Sequence, residues 1–139
     1  MEALAATDGN VSFQQLTFEA NRENMGILKC EVKVRTEMPG SELVGKGDVY
    51  RSPKYEIVSN ERNIFIVKIY SSLASGIRYR DGYADIIDGY IHLFCTTETS
   101  DTIEFELLAW ELTYTIEHDI DLCLDTIYFL DEKISEETI

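Results

Sequence analysis

The sequence predicts an α+β fold, in which a strand-rich first part of the chain is followed by a helical layer. Residues 27–36 alternate apolar and charged side chains, which is typical of a strand with one buried and one solvated face. Residues 64–70 are almost all apolar and β-prone, which indicates a strand covered on both faces. Asp101 and Glu104 then resemble a helix capping box, and apolar residues follow at helical spacing. These apolar residues are Phe105, Leu108, Leu112 and Ile116.

Shorter patterns predict the remaining elements. Residues 11–20 alternate as a half-buried strand, and residues 83–96 form a long strand in which Gly89 marks a bulge or a crossing point. The pattern allows a short edge strand at residues 48–51 and a further extended segment at residues 120–129. The sheet is therefore expected to contain at least four strands.

The helix at residues 101–118 has a competing interpretation. Leu112 to Ile116 alternates apolar residues with threonine, as strands do, and threonine is a poor helix former. Acidic residues in the first turn favour a helix, because they suit the positive end of its dipole. The prediction is a helix, with a strand as the alternative.

The length and composition fit one domain. A chain of 139 residues with an apolar fraction of 45% can bury a core without disulfides. We expect a flexible tail at residues 1–10, a single α+β domain at residues 11–130, and an acidic C-terminal end at residues 131–139, either mobile or a short helix. No apolar run approaches the roughly 20 residues of a membrane helix, and no secretory signal is visible. A cytoplasmic protein without membrane contact is predicted.

Negative charge is concentrated in the last part of the chain. Residues 98–139 carry 13 of the 26 acidic residues and one basic residue, Lys133, so they supply about −12 of the net charge of −14. The first 97 residues carry 13 acids against 11 bases. An acidic surface disfavours direct binding to nucleic acids and to anionic membranes. It suits basic or apolar protein partners.

No pattern in the sequence predicts catalysis. The two histidines, His92 and His118, stand in no metal-binding or catalytic motif, and the turn at residues 45–48 lacks the remaining residues of a phosphate-binding loop. The three cysteines are far apart and odd in number, and they are predicted to be buried thiols in a reducing compartment. The sequence therefore predicts a binding protein without a metal or cofactor, and not an enzyme.

Aromatic residues are the first candidates for a binding surface. The chain contains eight tyrosines and six phenylalanines, most of them in the predicted β region. Most are expected in the core, whereas a minority are candidates for an apolar groove that holds another polypeptide. The candidate groove residues are Phe18, Tyr79, Tyr83 and Tyr90.

The order of the predicted elements resembles that of the SecB-type protein-export chaperones. Short patterns similar to that family occur along most of residues 11–130, including Leu16-Thr17-Phe18-Glu19-Ala20 and Glu31-Val32-Lys33-Val34. The other similar segments are residues 64–70, 89–94, 101–118 and 122–129. The chain departs from the family in a long insert at residues 38–63 and in the absence of a proline before its final segment.

This resemblance implies a four-stranded antiparallel sheet with helices on one face, assembled as a homo-oligomer. Together with the residue patterns, the resemblance predicts an antiparallel sheet of four or more strands with a C-terminal helical layer on one face. It also implies a cytoplasmic chaperone that binds non-native polypeptide clients without ATP.

A second hypothesis starts from the acidic charge. Small acidic inhibitor proteins, such as immunity proteins against nuclease toxins and mimics of DNA charge, cover the cationic site of one basic partner. A dense anionic surface speeds such association and makes it sensitive to salt. The candidate contact residues are Glu111, Glu117, Asp119, Asp121 and Asp125.

Overall fold

The computed structural model describes residues 13–19, 27–102, 105–119 and 121–137, without the side chains of residues 13–19 and Asp125. The predicted tail at residues 1–10 lies outside the described residues. The described chain forms nine strands and one short 3₁₀ helix, Val49–Arg51. The strands are β1 (Phe13–Glu19), β2 (Ile27–Thr36), β3 (Lys54–Glu61), β4 (Ile64–Ala74), β5 (Ile77–Ile87), β6 (Tyr90–Thr99), β7 (Leu107–His118), β8 (Cys123–Phe129) and β9 (Glu132–Glu136).

The nine strands form one sheet in the order β1-β2-β7-β4-β3-β9-β8-β6-β5. Strand β5, at one end of this order, contacts β2 near the other end, so the sheet is nearly closed and barrel-like. The expected antiparallel sheet is wrong, because β3 pairs with β9 and β6 pairs with β8 in parallel. Both parallel pairs arise because the hairpin of β8 and β9 lies between β3 and β6.

The described residues contain no C-terminal helical layer, so the predicted α+β fold is wrong. Residues 107–118 form β7, which lies between β2 and β4. Leu112 and Ile116 are buried, as expected, but Tyr114 between them is buried too, which is the two-residue period of a strand. Phe105, which was expected to pack inward, is fully exposed. The alternation of β-branched and aromatic residues predicts the observed strand, whereas the capping pattern predicts a helix that does not form.

Three two-residue turns have both central residues at positive φ, as hairpin turns of type I′ require. Asp88 and Gly89 form one of them, with φ of 54° and 85°, and they divide the predicted strand 83–96 into β5 and β6. Asp-Gly is a preferred sequence for this turn, so Gly89 reverses the chain and does not form a bulge. The hairpin of β8 and β9 turns at Leu130 and Asp131. Residues 132–136 therefore form a strand, where the sequence suggested a mobile end or a helix.

Replacement of Gly89 by alanine should destabilise the protein through backbone strain alone. A Cβ atom at this position would meet no atom within 4 Å, but the φ of 85° disfavours side chains. We expect Gly89→Ala to lower the free energy of unfolding by about 1 kcal/mol in urea denaturation. Gly89→Asn should lose less, because asparagine tolerates the left-handed region. Equal losses in the two variants would show that the positive φ is not the cause.

The core lies between the inward faces of the strands and is crossed by tyrosines. Tyr114 of β7 is fully buried, and its hydroxyl donates a hydrogen bond of 2.8 Å to the carbonyl oxygen of Phe94 on β6. Tyr79 of β5 packs edge-on against Trp110, with ring centroids 5.5 Å apart. Its hydroxyl oxygen lies 2.6 Å from Oγ of Ser71 on β4. These contacts join β5 and β6 to β4 and β7.

The three cysteines are free thiols. Cys30 is buried, whereas Cys95 and Cys123 are half-buried. Burial raises the pKa of Cys30 and of Cys95 to about 12, so both thiols stay protonated at neutral pH. A protonated thiol is a poor nucleophile, which makes a packing role the simplest account of these two residues.

The segment at residues 37–51 covers the outer face of the sheet over β4 and β7. Leu43 and Tyr50 pack against Ala109 and Tyr70 in a second buried cluster. Residues 48–51, where the sequence allowed a short edge strand, form no strand; residues 49–51 form the 3₁₀ helix. Gly47 permits the close contact, since a Cβ atom there would collide with the carbonyl oxygen of Leu107. The segment therefore encloses one apolar region on the outer face of the sheet.

Candidate functional site

Strands β5, β6 and β8 carry aromatic side chains on the face of the sheet turned away from the core. In β6, Ile91 and Leu93 are fully buried, so strand alternation places Tyr90, His92 and Phe94 on the opposite face. The strand register then adds one tyrosine from each neighbouring strand. Tyr83 of β5 lies opposite Phe94, and Tyr128 of β8 lies opposite His92.

Four of these rings form a run of nearly parallel neighbours, in the order Tyr83, Phe94, His92 and Tyr128, which we call the ring stack. The ring centroids of Tyr83 and Phe94 are 4.9 Å apart, those of Phe94 and His92 are 6.3 Å apart, and those of His92 and Tyr128 are 4.3 Å apart. The angle between neighbouring planes is at most 18°. Tyr90 meets Tyr128 edge-on at 6.1 Å.

The ring stack favours contact with protein side chains over stacking with flat ligands. Phe94 and His92 each stack against two neighbouring rings, whereas a nucleic-acid base needs a free aromatic face. Ring edges and phenol groups suit contact with aliphatic and aromatic side chains of another polypeptide. Tyr83 and Ile87 are 45% and 40% exposed, so the β5 side of this face is open to such a partner.

Charged residues surround the ring stack. Asp85 lies opposite His92, and Lys133 lies opposite Tyr128. Two residues before Tyr83, Asp81 forms an ion pair of 3.6 Å with Arg80, and both of these side chains are exposed. An apolar centre with a charged rim is the usual composition of a protein interface. Nδ1 of His92 is buried and has no hydrogen-bond partner among the described atoms.

The structure separates the four candidate groove residues. Tyr83 and Tyr90 lie on the aromatic face, whereas Tyr79 is buried in the core. Phe18 lies on β1 opposite Cys30, and its side chain is outside the described part. His92, Phe94 and Tyr128 did not figure among the sequence-derived candidates. The alternation of residues 90, 92 and 94 was a usable signal for the β6 members, but no local pattern pointed to the parallel pairing that adds Tyr128.

The structure also separates the candidate acidic contact residues. Glu111 is buried, and it accepts a hydrogen bond of 3.1 Å from Nε of Arg35 and lies 3.3 Å from Nζ of Lys68. Three others are exposed at the end of β7 and beyond it, namely Glu117, Asp119 and Asp121. The side chain of Asp125, on β8, lies outside the described part of the structure. Glu111 is therefore unavailable to a partner.

A separate cleft of about 340 Å³ lies between strands β3 and β4 and the segment at residues 37–51, which contains the 3₁₀ helix. Tyr50 and Tyr70 stack within it, with ring centroids 5.1 Å apart and planes 20° apart. The Tyr50 hydroxyl donates to Oε2 of Glu137 at 3.0 Å, and the Tyr70 hydroxyl donates to Oε1 of Glu56 at 2.7 Å. The full lining is Glu42, Leu43, Lys46, Tyr50, Glu56, Tyr70 and Glu137.

Burial and neighbouring carboxylates both act on the two tyrosines of this cleft. Burial, the hydrogen bond to Glu137 and nearby carboxylates raise the pKa of Tyr50 to about 12. Burial and the hydrogen bond to Glu56 raise the pKa of Tyr70 as well. The Arg35 guanidinium lowers the pKa of Glu42 to about 2. At neutral pH both tyrosines are therefore hydrogen-bond donors, and Glu42 is ionised.

Within the described ranges, no group of three His, Cys, Asp or Glu side chains is placed to hold a metal ion. In the same part of the chain, no helix is long and apolar enough to cross a membrane. Comparisons with protein-family models, with curated proteins and with solved structures found no match for this chain. The resemblance to SecB-type chaperones stays a prediction, and its expected fold is the part that the structure contradicts.

Proposed function

We propose that this protein binds a segment of another polypeptide on the outer face of β5, β6 and β8. The observation that carries the proposal is the ring stack. The solvent-facing side of a sheet usually carries polar residues, and a contiguous apolar patch there marks an interaction surface. Three strands contribute to the stack, so the aromatic residues form one continuous surface.

The charge and ring geometry favour a segment with apolar and basic side chains as the ligand. Strand β5 places Asp81, Tyr83, Asp85 and Ile87 on the same face, because alternate residues of a strand point the same way. Carboxylates that alternate with apolar groups match an extended chain with basic and apolar residues in alternation. The net charge of −14 opposes nucleic acid on this surface.

This activity is that of an ATP-independent chaperone or of a binder of one polypeptide partner. Apolar burial against the ring stack is a sufficient source of binding free energy, and no chemical step is needed. The chaperone activity expected from the sequence is thus retained as a proposal. The ring stack now supports it in place of the expected helical fold.

Removal of two rings should weaken this binding. We expect the wild-type protein to bind a fluorescent peptide of alternating leucine and lysine more tightly than peptides in which serine replaces leucine or glutamate replaces lysine. The variant Tyr83→Ser/Tyr128→Ser should bind the leucine–lysine peptide at least about tenfold more weakly, because two aromatic contacts are lost. Fluorescence anisotropy measures the affinities, and light scattering measures suppression of aggregation of reduced insulin.

Phe105→Ser is the matched control, since it removes a fully exposed aromatic ring outside the ring stack. It should leave peptide binding and aggregation suppression unchanged. Circular dichroism checks that each variant is folded. Equal loss in Phe105→Ser, or unchanged binding in the double variant, would refute the proposal. Sedimentation of the free protein identifies the case in which a second copy occupies the ring stack.

An acidic inhibitor is the second candidate function, favoured by the exposed carboxylates of Glu117, Asp119 and Asp121. It predicts capture of one folded basic protein, with an affinity that falls steeply as salt rises. Neutralising all three carboxylates as Gln or Asn should reduce both the affinity and the salt dependence. Binding that persists in this variant but fails in Tyr83→Ser/Tyr128→Ser would exclude the inhibitor and support the polypeptide binder.

A further inference from the structure

We propose that the cleft lined by Tyr50 and Tyr70 binds a guanidinium group. The cleft lies between the segment at residues 37–51 and strands β3 and β4, and it shares no residue with the ring stack. The proposal therefore stands independently of the proposed polypeptide binding.

The polar groups around the tyrosine pair offer hydrogen-bond acceptors to a ligand. Both phenol hydrogens point at carboxylates, those of Glu137 and Glu56. A carboxylate has about four lone-pair positions, and each of these two receives one described hydrogen bond. The remaining acceptor positions and the aromatic rings suit a ligand rich in N–H donors that also carries positive charge.

Some charges around the cleft are balanced by ion pairs, and the remaining charges of its lining are negative in excess. Arg35 pairs with Glu42 and Glu111, and Lys68 pairs with Glu111, so these four side chains balance. Of the other lining residues, Glu56 and Glu137 carry two negative charges and Lys46 carries one positive charge. A bound monocation would make this group neutral.

The shape of the cleft favours an organic cation over a metal ion. Its carboxylates do not converge on one point as metal ligands do, but line a space of about 340 Å³. A guanidinium is planar, weakly hydrated and carries five N–H donors in a fixed arrangement, which allows contact with two carboxylates and an aromatic ring at once. Arg35 already binds two glutamates beside this cleft through the same group.

The test is a titration of the full chain with methylguanidinium chloride, followed by NMR of the tyrosine rings. We expect saturable shifts of the Tyr50 and Tyr70 signals, and no such shifts with sodium chloride at equal ionic strength. Methylammonium should bind at least about threefold more weakly, because it has fewer donors and holds its water more strongly. Failure of the tyrosine signals to saturate, or equal affinity for methylammonium, would refute the guanidinium site.

Two variants separate ligand binding from folding. Glu56→Gln keeps an acceptor for the Tyr70 hydroxyl but removes a charge, so binding should weaken roughly tenfold. Lys46→Ala removes an exposed positive charge and should tighten the binding of methylguanidinium. Weaker binding of methylguanidinium in Lys46→Ala would show that the charge of Lys46 does not oppose the ligand, and would overturn the proposal. Asp119→Asn changes the charge equally at a distant exposed position and should have no effect.

Titration with N-acetyl-arginine amide distinguishes an arginine side chain from a small free compound as the source of the guanidinium group. If it binds at least as tightly as methylguanidinium, the cleft takes an arginine side chain of a polypeptide. If it binds clearly more weakly, the cleft takes a small free guanidinium compound. Peptide binding on the ring stack should stay unchanged in Glu56→Gln, so failure of the guanidinium site and failure of the proposed function are separate results.

Discussion

Replacement of Tyr114 by alanine is expected to lower the free energy of unfolding by about 3–5 kcal/mol, one of the two largest stability effects we expect. The tyrosine ring is fully buried in the middle of β7, between β2 and β4. Its removal leaves a cavity that the rigid sheet on either side cannot close. It also removes the hydrogen bond to the carbonyl oxygen of Phe94, the contact that joins β7 to β6 across the core.

Tyr114→Phe separates the two contributions. It keeps the ring and removes only the hydroxyl, so it should lower the free energy of unfolding by about 1–2 kcal/mol. Urea denaturation followed by fluorescence measures both variants. Tyr83→Phe removes a hydroxyl from a partly exposed ring and should change stability by less than about 0.5 kcal/mol. If Tyr114→Phe destabilised as much as Tyr114→Ala, cavity formation would not be the dominant effect.

Replacement of Glu111 by alanine should lower the free energy of unfolding by about 3–5 kcal/mol. This carboxylate is buried and is the shared partner of Arg35 and Lys68. The Arg35 side chain is only 15% exposed, so loss of Glu111 leaves a mostly desolvated positive charge with Glu42 as its remaining described acid partner. The loss of one carboxylate therefore disrupts the whole charged cluster.

A double variant tests this explanation. Arg35→Met/Glu111→Leu removes both charges and should be more stable than Glu111→Ala alone, because the desolvated Arg35 charge is removed together with its partner. Glu117→Ala, an exposed position on the same strand, should change stability by less than about 0.5 kcal/mol. A double variant as unstable as Glu111→Ala would show that packing, and not charge, explains the loss.

Local alternation made some strands predictable. Residues 27–36 were predicted as a strand with the bounds of β2, because four apolar residues alternate there with charged ones. Residues 101–118 were misassigned, because acidic residues and apolar residues spaced four apart also fit a helix. The deciding information is the long-range pairing of β7 with both β2 and β4, which makes the strand central. No local pattern contains that information.

Prediction of the candidate sites depends on strand pairing even more than prediction of the strands does. Tyr83 and Tyr90 were proposed from the sequence, but the ring stack, which contains Tyr83 and adjoins Tyr90, needs the register of β6 with β5 and with β8. Glu111 looked like a surface acid, because its partner Arg35 is 76 positions away in the chain. Charge counted along a sequence cannot distinguish a buried ion pair from an exposed carboxylate.

The position of the hairpin of β8 and β9 affects the order in which the binding surface forms during synthesis. The chain grows from its N-terminus, so β3 and β6 are made before the hairpin that joins them. The edge of β6 stays unpaired until β8 is made, and the edge of β3 stays unpaired until β9 is made; until residue 128 is present, the ring stack also lacks the ring that stacks on His92. Pairing between strands so distant in the chain is slow to form. The ring stack, which is the proposed polypeptide-binding face, is therefore completed only when the hairpin of β8 and β9 pairs with β6 and β3, so a nascent chain does not present the whole ring stack before that step.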